Sequence, residues 1–376
     1  MSLLVISHTY ISEENQKNIV ALRRHLNVRV AVPDSFKSTV FKTIRPRVGG
    51  NGSNSVRIFK AIHLPRSQFI LRPFKLDLDA EPTDVINVEY DPWSVMFWQA
   101  MVARNRARPG CKLVCTIKNN TYTRYRGPLG LAKRAVARKG IAAVDLFLAS
   151  SQKVAELYQE QFGVSAERIA QCFHLGVDTA LFTPRPAAEY SPEQLAIGYC
   201  GRFDPDKGVL ELVDAVRSSR KSNGLELQLH LLGRGSLQET LARAQDEEPW
   251  IRLFEPVPHH EVPRFLQNLD MFVLPSRVSP DREEHDAHAL VEAMAVGLPC
   301  IGTRSGIIPQ LLAGGAGFLV PANSTQELAQ ALATLATDPG KRASLGRKAR
   351  ETALANHALD SLAANKAAIF KRLGCT

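Results

Sequence analysis

The chain has 376 residues, 45% of them hydrophobic and 22% charged, which is too long for one ordinary domain, suits two, and excludes a disordered polymer. Its net charge of +10 is uneven: residues 1–150 carry 24 Lys and Arg against 10 Asp and Glu, and the remainder 23 against 27. The first half is therefore either a solvated basic surface or a face for something anionic, such as a membrane surface, a lipid diphosphate or nucleic acid.

The N-terminus, MSLLVISHTY, is apolar but lacks a basic leader and a small-residue cleavage site, so it reads as a first buried strand. Further strands are expected near Val28–Val32, Val85–Val88, Leu113–Thr116 and Leu146–Ala149, with helices over Asn15–His25 and Trp93–Arg106 between them. Segment 33–81 is poorly periodic, and its RPRVGGNGSNS cluster reads as an exposed, mobile loop. Pro184-Arg185-Pro186-Ala187-Ala188 forms a stiff connector. A second strand series follows at Leu195–Tyr199, Leu227–Leu232, Ile251–Phe254, Met271–Leu274, Pro299–Gly302 and Gly317–Val320, before an Ala-rich helical tail from Gln326 to Leu373. Strands alternating with helices predict α/β architecture with parallel sheets. Two doubly wound domains would bind ligands at the carboxyl ends of their strands, across a cleft. No apolar run reaches eighteen residues, so no membrane-spanning helix is expected. Cys111, Cys115, Cys172, Cys200, Cys300 and Cys375 form no CxxC pair and read as buried free thiols in a reducing compartment.

Two stretches carry chemistry. In the first, Glu284 to Pro299, two glutamates stand with seven residues between them: Glu284 in a loop, and Glu292 on a short helix closed by Gly297. A helix N-terminus at a strand end suits a diphosphate, and carboxylates accept hydrogen bonds from sugar and ribose hydroxyls. Two glutamates alone would equally fit a solvent-facing acidic loop before a core helix. The second stretch, Gly201-Arg202-Phe203-Asp204-Pro205-Asp206-Lys207-Gly208, follows the first strand of the second half. Its Arg and Lys can converge on phosphate oxygens, one as a fork and one as a point charge.

With these residues in place, the chain resembles the retaining GT-B glycosyltransferases of the group 1 family, which are glycosyltransferase family 4-like. The matching residues run in the family's order: Gly176-Val177-Asp178 with Phe182 and Pro184; Gly201-Arg202 to Lys207-Gly208; Leu232-Gly233 with Gly235; Leu274-Pro275-Ser276; Glu284 to Glu292-Ala293-Met294; Gly297-Leu298-Pro299; and Gly317 to Val320. The resemblance is strong over residues 170–325 and weaker before that. It implies a GT-B fold: an acceptor-binding Rossmann-like domain over 1–184, a donor-binding one over 185–355, and a last helix, 356–376, that crosses back. It also implies transfer of a sugar from a UDP- or GDP-sugar to a glycolipid, polysaccharide precursor or other hydroxyl acceptor, with retention and without a metal or cofactor. Arg202 and Lys207 would hold the diphosphate and Glu284 the transferred sugar, these three forming the catalytic set. Glu292 would bind ribose, and Gly201, Ala287 and His288 complete the donor site. The leaving phosphate oxygen would take the acceptor's proton, so no strong general base is required.

Departures from the family are equally legible. Asp286-Ala287 stands where Phe-Gly is usual; a capping Asp286 would set its carboxylate near the phosphate site, so it either turns away or binds a sugar hydroxyl, or the donor sits differently here. The glycine-rich loop after the first strand is replaced by Ser7-His8-Thr9-Tyr10, and a family histidine by Lys118 in Thr116-Ile117-Lys118-Asn119-Asn120. His8, Lys118 and Asn119 are candidate acceptor or donor-sugar contacts, with ordinary structural or surface roles as the alternative. Asp77-Leu78-Asp79 matches the DxD metal mark of another glycosyltransferase fold but reads as a chance match. His285 and His288 are too few for a zinc site. Arg124-Tyr125-Arg126, Lys133-Arg134 and Arg138-Lys139, interleaved with Leu129, Leu131, Val136 and Ile141, form a basic amphipathic stretch suited to an anionic bilayer or to solvent. The expected setting is cytoplasmic, peripheral at the inner membrane face, in bacterial surface-polysaccharide or glycolipid assembly, with no nucleic-acid partner. The alternatives are a sugar-nucleotide epimerase on the same fold and a catalytically silent nucleotide-sugar or carbohydrate-binding protein. A nicotinamide-dependent enzyme is disfavoured, because no GxGxxG follows either first strand.

Overall fold

The computed structural model describes all residues except 38–42, 47–55, 66–67, 75, 77, 79–81, 120–126, 187–193, 281 and 375–376. The chain divides into two compact units, residues 1–176 with 359–376, and residues 177–358.

The first unit is built on an eight-stranded sheet. In chain order its elements are β1 (Ser2–Ile6), α1 (Glu13–Arg23), β2 (Asn27–Pro33), β3 (Val56–His63), β4 (Phe69–Arg72), β5 (Val85–Val88), α2 (Val95–Ala107), β6 (Lys112–Ile117), α3 (Gly127–Ala142), β7 (Leu146–Ala149), α4 (Gln152–Phe162) and β8 (Ile169–Gln171). The sheet order is β4-β3-β2-β1-β5-β6-β7-β8, parallel except for the β3–β4 pair. β1 and β5 are buried throughout, as strands covered on both faces require, and so read as unbroken apolar runs. Serine side chains start two helices: Ser94 accepts from Phe97 N at 3.2 Å and Ser151 from Val154 N at 3.3 Å.

The second unit contains β9 (Leu195–Cys200), α5 (Val209–Asn223), β10 (Leu227–Leu232), α6 (Gln238–Glu247), β11 (Ile251–Phe254), α7 (Val262–Gln267), β12 (Met271–Leu274), α8 (His288–Val296), β13 (Cys300–Thr303), α9 (Ile308–Leu311), β14 (Phe318–Val320), α10 (Thr325–Thr337) and α11 (Pro339–Asn356). Its six strands are all parallel, in the order β11-β10-β9-β12-β13-β14. Ser324 and Glu327 begin α10 in a capping pattern, and Asp338 with Pro339 begins α11. The last helix, α12 (Leu359–Gly374), packs on α1 in the first unit, with Phe370 buried and Lys366 donating to the His174 carbonyl.

The segment read as irregular, 33–81, contains a paired hairpin. β3 joins the sheet beside β2, and β4 turns back along it. The periodicity failed there because this end of the sheet is half solvated: along β3 only Phe59 is fully buried, while Arg57, Ile58, Lys60 and Ile62 are exposed. Most of the RPRVGGNGSNS cluster and both aspartates of Asp77-Leu78-Asp79 lie outside the described residues, as do Asn120, Arg124-Tyr125-Arg126, Ala187-Ala188 and Cys375.

In each unit the strand order reverses beside the first strand, at β1/β5 and at β9/β12. Crossovers leave opposite faces of the sheet there, opening a crevice at the carboxyl ends of the two strands. The loops after β9 and β12 are those that carry Arg202, Lys207 and Glu284.

Candidate active site

The loop after β9 is held by backbone contact. Gly208 has φ +69°, and a Cβ there would lie 2.0 Å from the Pro275 carbonyl oxygen. Gly233, after β10, has φ +148°, and a Cβ there would lie 1.8 Å from the carbonyl oxygen of Gly201. Only glycine accepts both the dihedrals and the proximity. Beneath them the buried Tyr199 hydroxyl donates to the Arg202 carbonyl at 2.7 Å.

This packing brings Lys207 to Glu284. Lys207 Nζ lies 3.0 and 2.7 Å from the two carboxylate oxygens, and the Ser276 hydroxyl donates to Oε2 at 2.5 Å. The backbone of Glu284 is fixed as well: its N–H donates to Ser305 Oγ at 3.1 Å, and its carbonyl accepts from Ile307 N at 3.1 Å. Ser305 in turn donates to the Arg277 carbonyl at 3.0 Å. Burial pushes the Glu284 carboxyl up, but Lys207 and Ser276 outweigh it and hold it below its ordinary value. Glu284 is therefore a fixed, ionised acceptor.

Arg202 is paired in the same loop with Asp204 and, at 3.5 Å, with Asp206. Asp206 also takes Arg282 at 3.0 Å, and Asp204 accepts from Ser236 N and Oγ at 3.0 Å. The guanidinium is thus oriented by partly exposed carboxylates, which a phosphate can replace at modest cost.

Four residues beyond Glu284, α8 begins at His288 with Ala287 before it at φ +30°, a left-handed conformation that a Cβ disfavours. Glycine in this position would relieve the strain. Ala287, at the N-cap position, has no side chain that could cap the helix, and Asp286 Oδ1 lies 3.3 Å from His288 Nε2. Leu290 N and Val291 N turn back to the Ala287 carbonyl at 3.0 and 3.3 Å, and the positive end of the helix dipole favours an anion at this terminus. Further along, Glu292 Oε1 lies 2.7 Å from His259 Nε2. Glu292 also adds to burial in pushing the Cys200 thiol up to about 12, which places its carboxylate near the end of β9. Among the described residues, no group of three His, Cys, Asp or Glu side chains is placed to hold a metal ion.

In the first unit, His8 follows β1, its N–H donating to Tyr90 Oη at 2.8 Å and its Nδ1 meeting the same hydroxyl at 2.7 Å. The simplest assignment sends the hydroxyl proton to Nδ1 and leaves Nε2 as a donor. Burial, then Lys118, lowers the His8 pKa to about 3, so the ring is neutral at ordinary pH. Asp91 is raised to about 6, chiefly by burial, against the Tyr158 hydroxyl at 3.3 Å and Lys118. Lys118 leaves the end of β6, with Asn119 half-buried beside it. These residues gather at the reversal of strand order in their own unit. Tyr90, Asp91, Asp204, Asp206, Ser305 and His259 were not among the sequence candidates. Tyr90 and Asp91 were readable as the exit of the Val85–Val88 strand, whereas His259 carries no motif.

The fold is that of the two-domain GT-B glycosyltransferases. The Anabaena protein HepE, solved in complex with UDP, superposes with a TM-score of 0.72 at 17% identity, covering 99% of each chain. Residues 185–352 match the model for glycosyl transferases group 1, and residues 21–181 match that for glycosyltransferase family 4. The chain belongs to the group 1 glycosyltransferase family. It is 35% identical over 199 residues to WcaL, a glycosyltransferase assigned to colanic acid biosynthesis in Escherichia coli, covering 51% of this chain and 48% of that one. It is 22% identical over 355 residues to a GDP-mannose-dependent mannosyltransferase of Corynebacterium glutamicum that acts on monoacylated phosphatidylinositol monomannoside, covering 90% and 91%. The chain spans about half the length of the first curated relatives it matches.

Removing Lys207 leaves a buried carboxylate without its cation. Lys207→Met is expected to cost about 3–5 kcal/mol, measured by urea denaturation, and adding Glu284→Gln should recover part of that loss. The pH dependence should reverse as well. In the wild type Glu284 contributes stability above the ordinary carboxylate pKa, lost as pH falls through its lowered folded value. In Lys207→Met the effect of burial dominates, the folded pKa rises, and acidification should stabilise. A single mutant no less stable than the double would contradict this account of the pair.

Proposed function

We propose that the chain is a retaining glycosyltransferase that takes a sugar from a UDP- or GDP-sugar and passes it to a hydroxyl of a glycolipid or polysaccharide precursor. The observation that carries this reading is the placing of Arg202, Lys207, Glu284 and the start of α8 on the loops at the strand-order reversal of the second unit. Two cations and a helix N-terminus suit a diphosphate, and an ionised glutamate fixed among them suits the hydroxyls of the attached sugar. Glu292 takes the ribose. Gly201, Ala287 and His288 line the donor by main chain or side chain, and His8, Lys118 and Asn119 serve the acceptor or the transferred sugar.

In this mechanism the bond between the anomeric carbon and the diphosphate oxygen breaks as the acceptor oxygen bonds to the same face of that carbon. The acceptor's proton passes to the departing phosphate oxygen. Arg202 and Lys207 stabilise the charge that develops there, the role a metal ion plays elsewhere, so no cofactor is invoked. The colanic acid assignment of WcaL and the lipid-linked acceptor of the mannosyltransferase support a surface-polysaccharide or glycolipid setting at the cytoplasmic face of a membrane.

A thermal-shift series with UDP, GDP and their sugars should show selective stabilisation by one base. With the donor so identified, Arg202→Ala should lower transfer by about 100-fold or more while leaving the melting point unchanged, and EDTA should leave the wild-type rate intact. Near-normal turnover by the variant would remove Arg202 from the site, and loss of activity in EDTA would end the metal-free reading.

The membrane contact is assigned to α3. Lys133, Arg134, Arg138 and Lys139 are exposed together with Leu131 and Val136, and no acidic residue lies between 127 and 142. Apolar side chains among cations fit an anionic interface. Among the described residues no helix is long and apolar enough to cross a membrane. The protein should co-sediment with phosphatidylglycerol vesicles, not with phosphatidylcholine ones, and be released at about 0.5 M salt. Lys133→Glu with Arg134→Glu should weaken the binding, and equal binding by wild type and variant would exclude α3.

A further inference from the structure

The contact between His259 and Glu292 joins two loops that no motif connects. His259 opens a short helical turn, His259–Glu261, in the connection that leaves β11, and Glu292 sits in the second turn of α8. Nε2 of the imidazole lies 2.7 Å from Oε1 of the carboxylate. An ionised carboxylate only accepts, so the ring nitrogen must be the donor, whether the ring is neutral or charged. The bond occupies one lone pair of Oε1, and the rest of the carboxylate keeps its capacity to accept. Glu292 is mostly enclosed and His259 about one-third exposed. The ring also lies against Phe182, at 5.3 Å between centroids, so its direction is set from two sides.

A glutamate side chain has three rotatable bonds, and an unrestrained one would lose entropy each time it met a ligand. A donor fixed on one oxygen removes that cost and leaves the other oxygen directed. We propose that His259 is a positioning residue that holds the Glu292 carboxylate for the hydroxyls of the donor's ribose, and so sets the preference for ribonucleotide over deoxyribonucleotide donors. This rests on the reading of Glu292 as the ribose ligand. A site built to accept from a hydroxyl discriminates against the analogue that lacks it, because the acceptor is then left without its partner.

The test compares dissociation constants of UDP and GDP with those of their 2′-deoxy and 3′-deoxy forms, by titration calorimetry on the full chain. For the base that binds, the wild type should prefer the ribonucleotide over at least one deoxy form by about ten- to hundredfold. His259→Leu, which keeps bulk and removes the donor, should reduce that ratio to about threefold or less, mainly by weakening the ribonucleotide. His259→Gln, which returns an N–H at similar reach, should restore much of it. Glu292→Gln should collapse the ratio irrespective of residue 259.

If His259→Leu keeps the wild-type ratio while Glu292→Gln loses it, the histidine only ties loop to helix and the proposal is overturned, with the donor-site reading intact. If Glu292→Gln also keeps the ratio, the ribose assignment itself is wrong. Wild-type protein that binds neither nucleotide overturns both. Should His259→Leu fail to fold, His259→Ala takes its place: a lowered ratio supports the proposal, and an unchanged one beside a collapsed ratio in Glu292→Gln overturns it.

Discussion

Lys207 and Glu284 stand 77 residues apart in sequence and share a buried ion pair at the reversal of strand order. An ion pair in such a place is expensive unless every remaining lone pair is satisfied. The surrounding structure works toward that condition: Ser276 donates to the carboxylate, Ser305 and Ile307 fix the Glu284 backbone, and Gly208 packs closely on the Pro275 carbonyl. The arrangement holds ionised, oriented groups at the ends of two strands before any ligand arrives, and electrostatic catalysis depends on such preorganisation.

The same economy explains the carboxylates around Arg202. Unpaired cations crowded at one strand end would repel one another and soften the loop. Asp204, Asp206 and Glu284 offset Arg202, Arg282 and Lys207, so that these three cations are each paired. On the proposed reading a diphosphate would compete for cations that are already aimed, and the N-terminus of α8 would add the attraction of its dipole.

Much of the architecture was legible because buried parallel strands appear as unbroken apolar runs. β1, β5, β7, β9 and β12 lie within a residue of where such runs placed them. The half-exposed strands β3 and β4 and the short β8 lack that signature, since their side chains face solvent or end too soon. Ordered motifs single out Arg202, Lys207, Glu284 and Glu292, which stand at fixed distances from glycines and prolines that the turns require, and the fold brings the first three to the ends of β9 and β12. Their partners were not legible. Ser305 and His259 are chosen by the approach of separate loops, which only the fold creates. The left-handed turn at Ala287, which sets where Asp286 stands relative to α8, was likewise not specified by local sequence.

The central claim is that the loops after β9 and β12 hold the diphosphate of a nucleotide-sugar. The most direct measurement is a crystal structure of the protein with UDP or GDP, whichever binds. The account predicts phosphate oxygens within hydrogen-bonding distance of the Arg202 guanidinium, Lys207 Nζ and the first N–H groups of α8, with the ribose at Glu292. A nucleotide bound with its diphosphate away from Arg202 and Lys207 would contradict it.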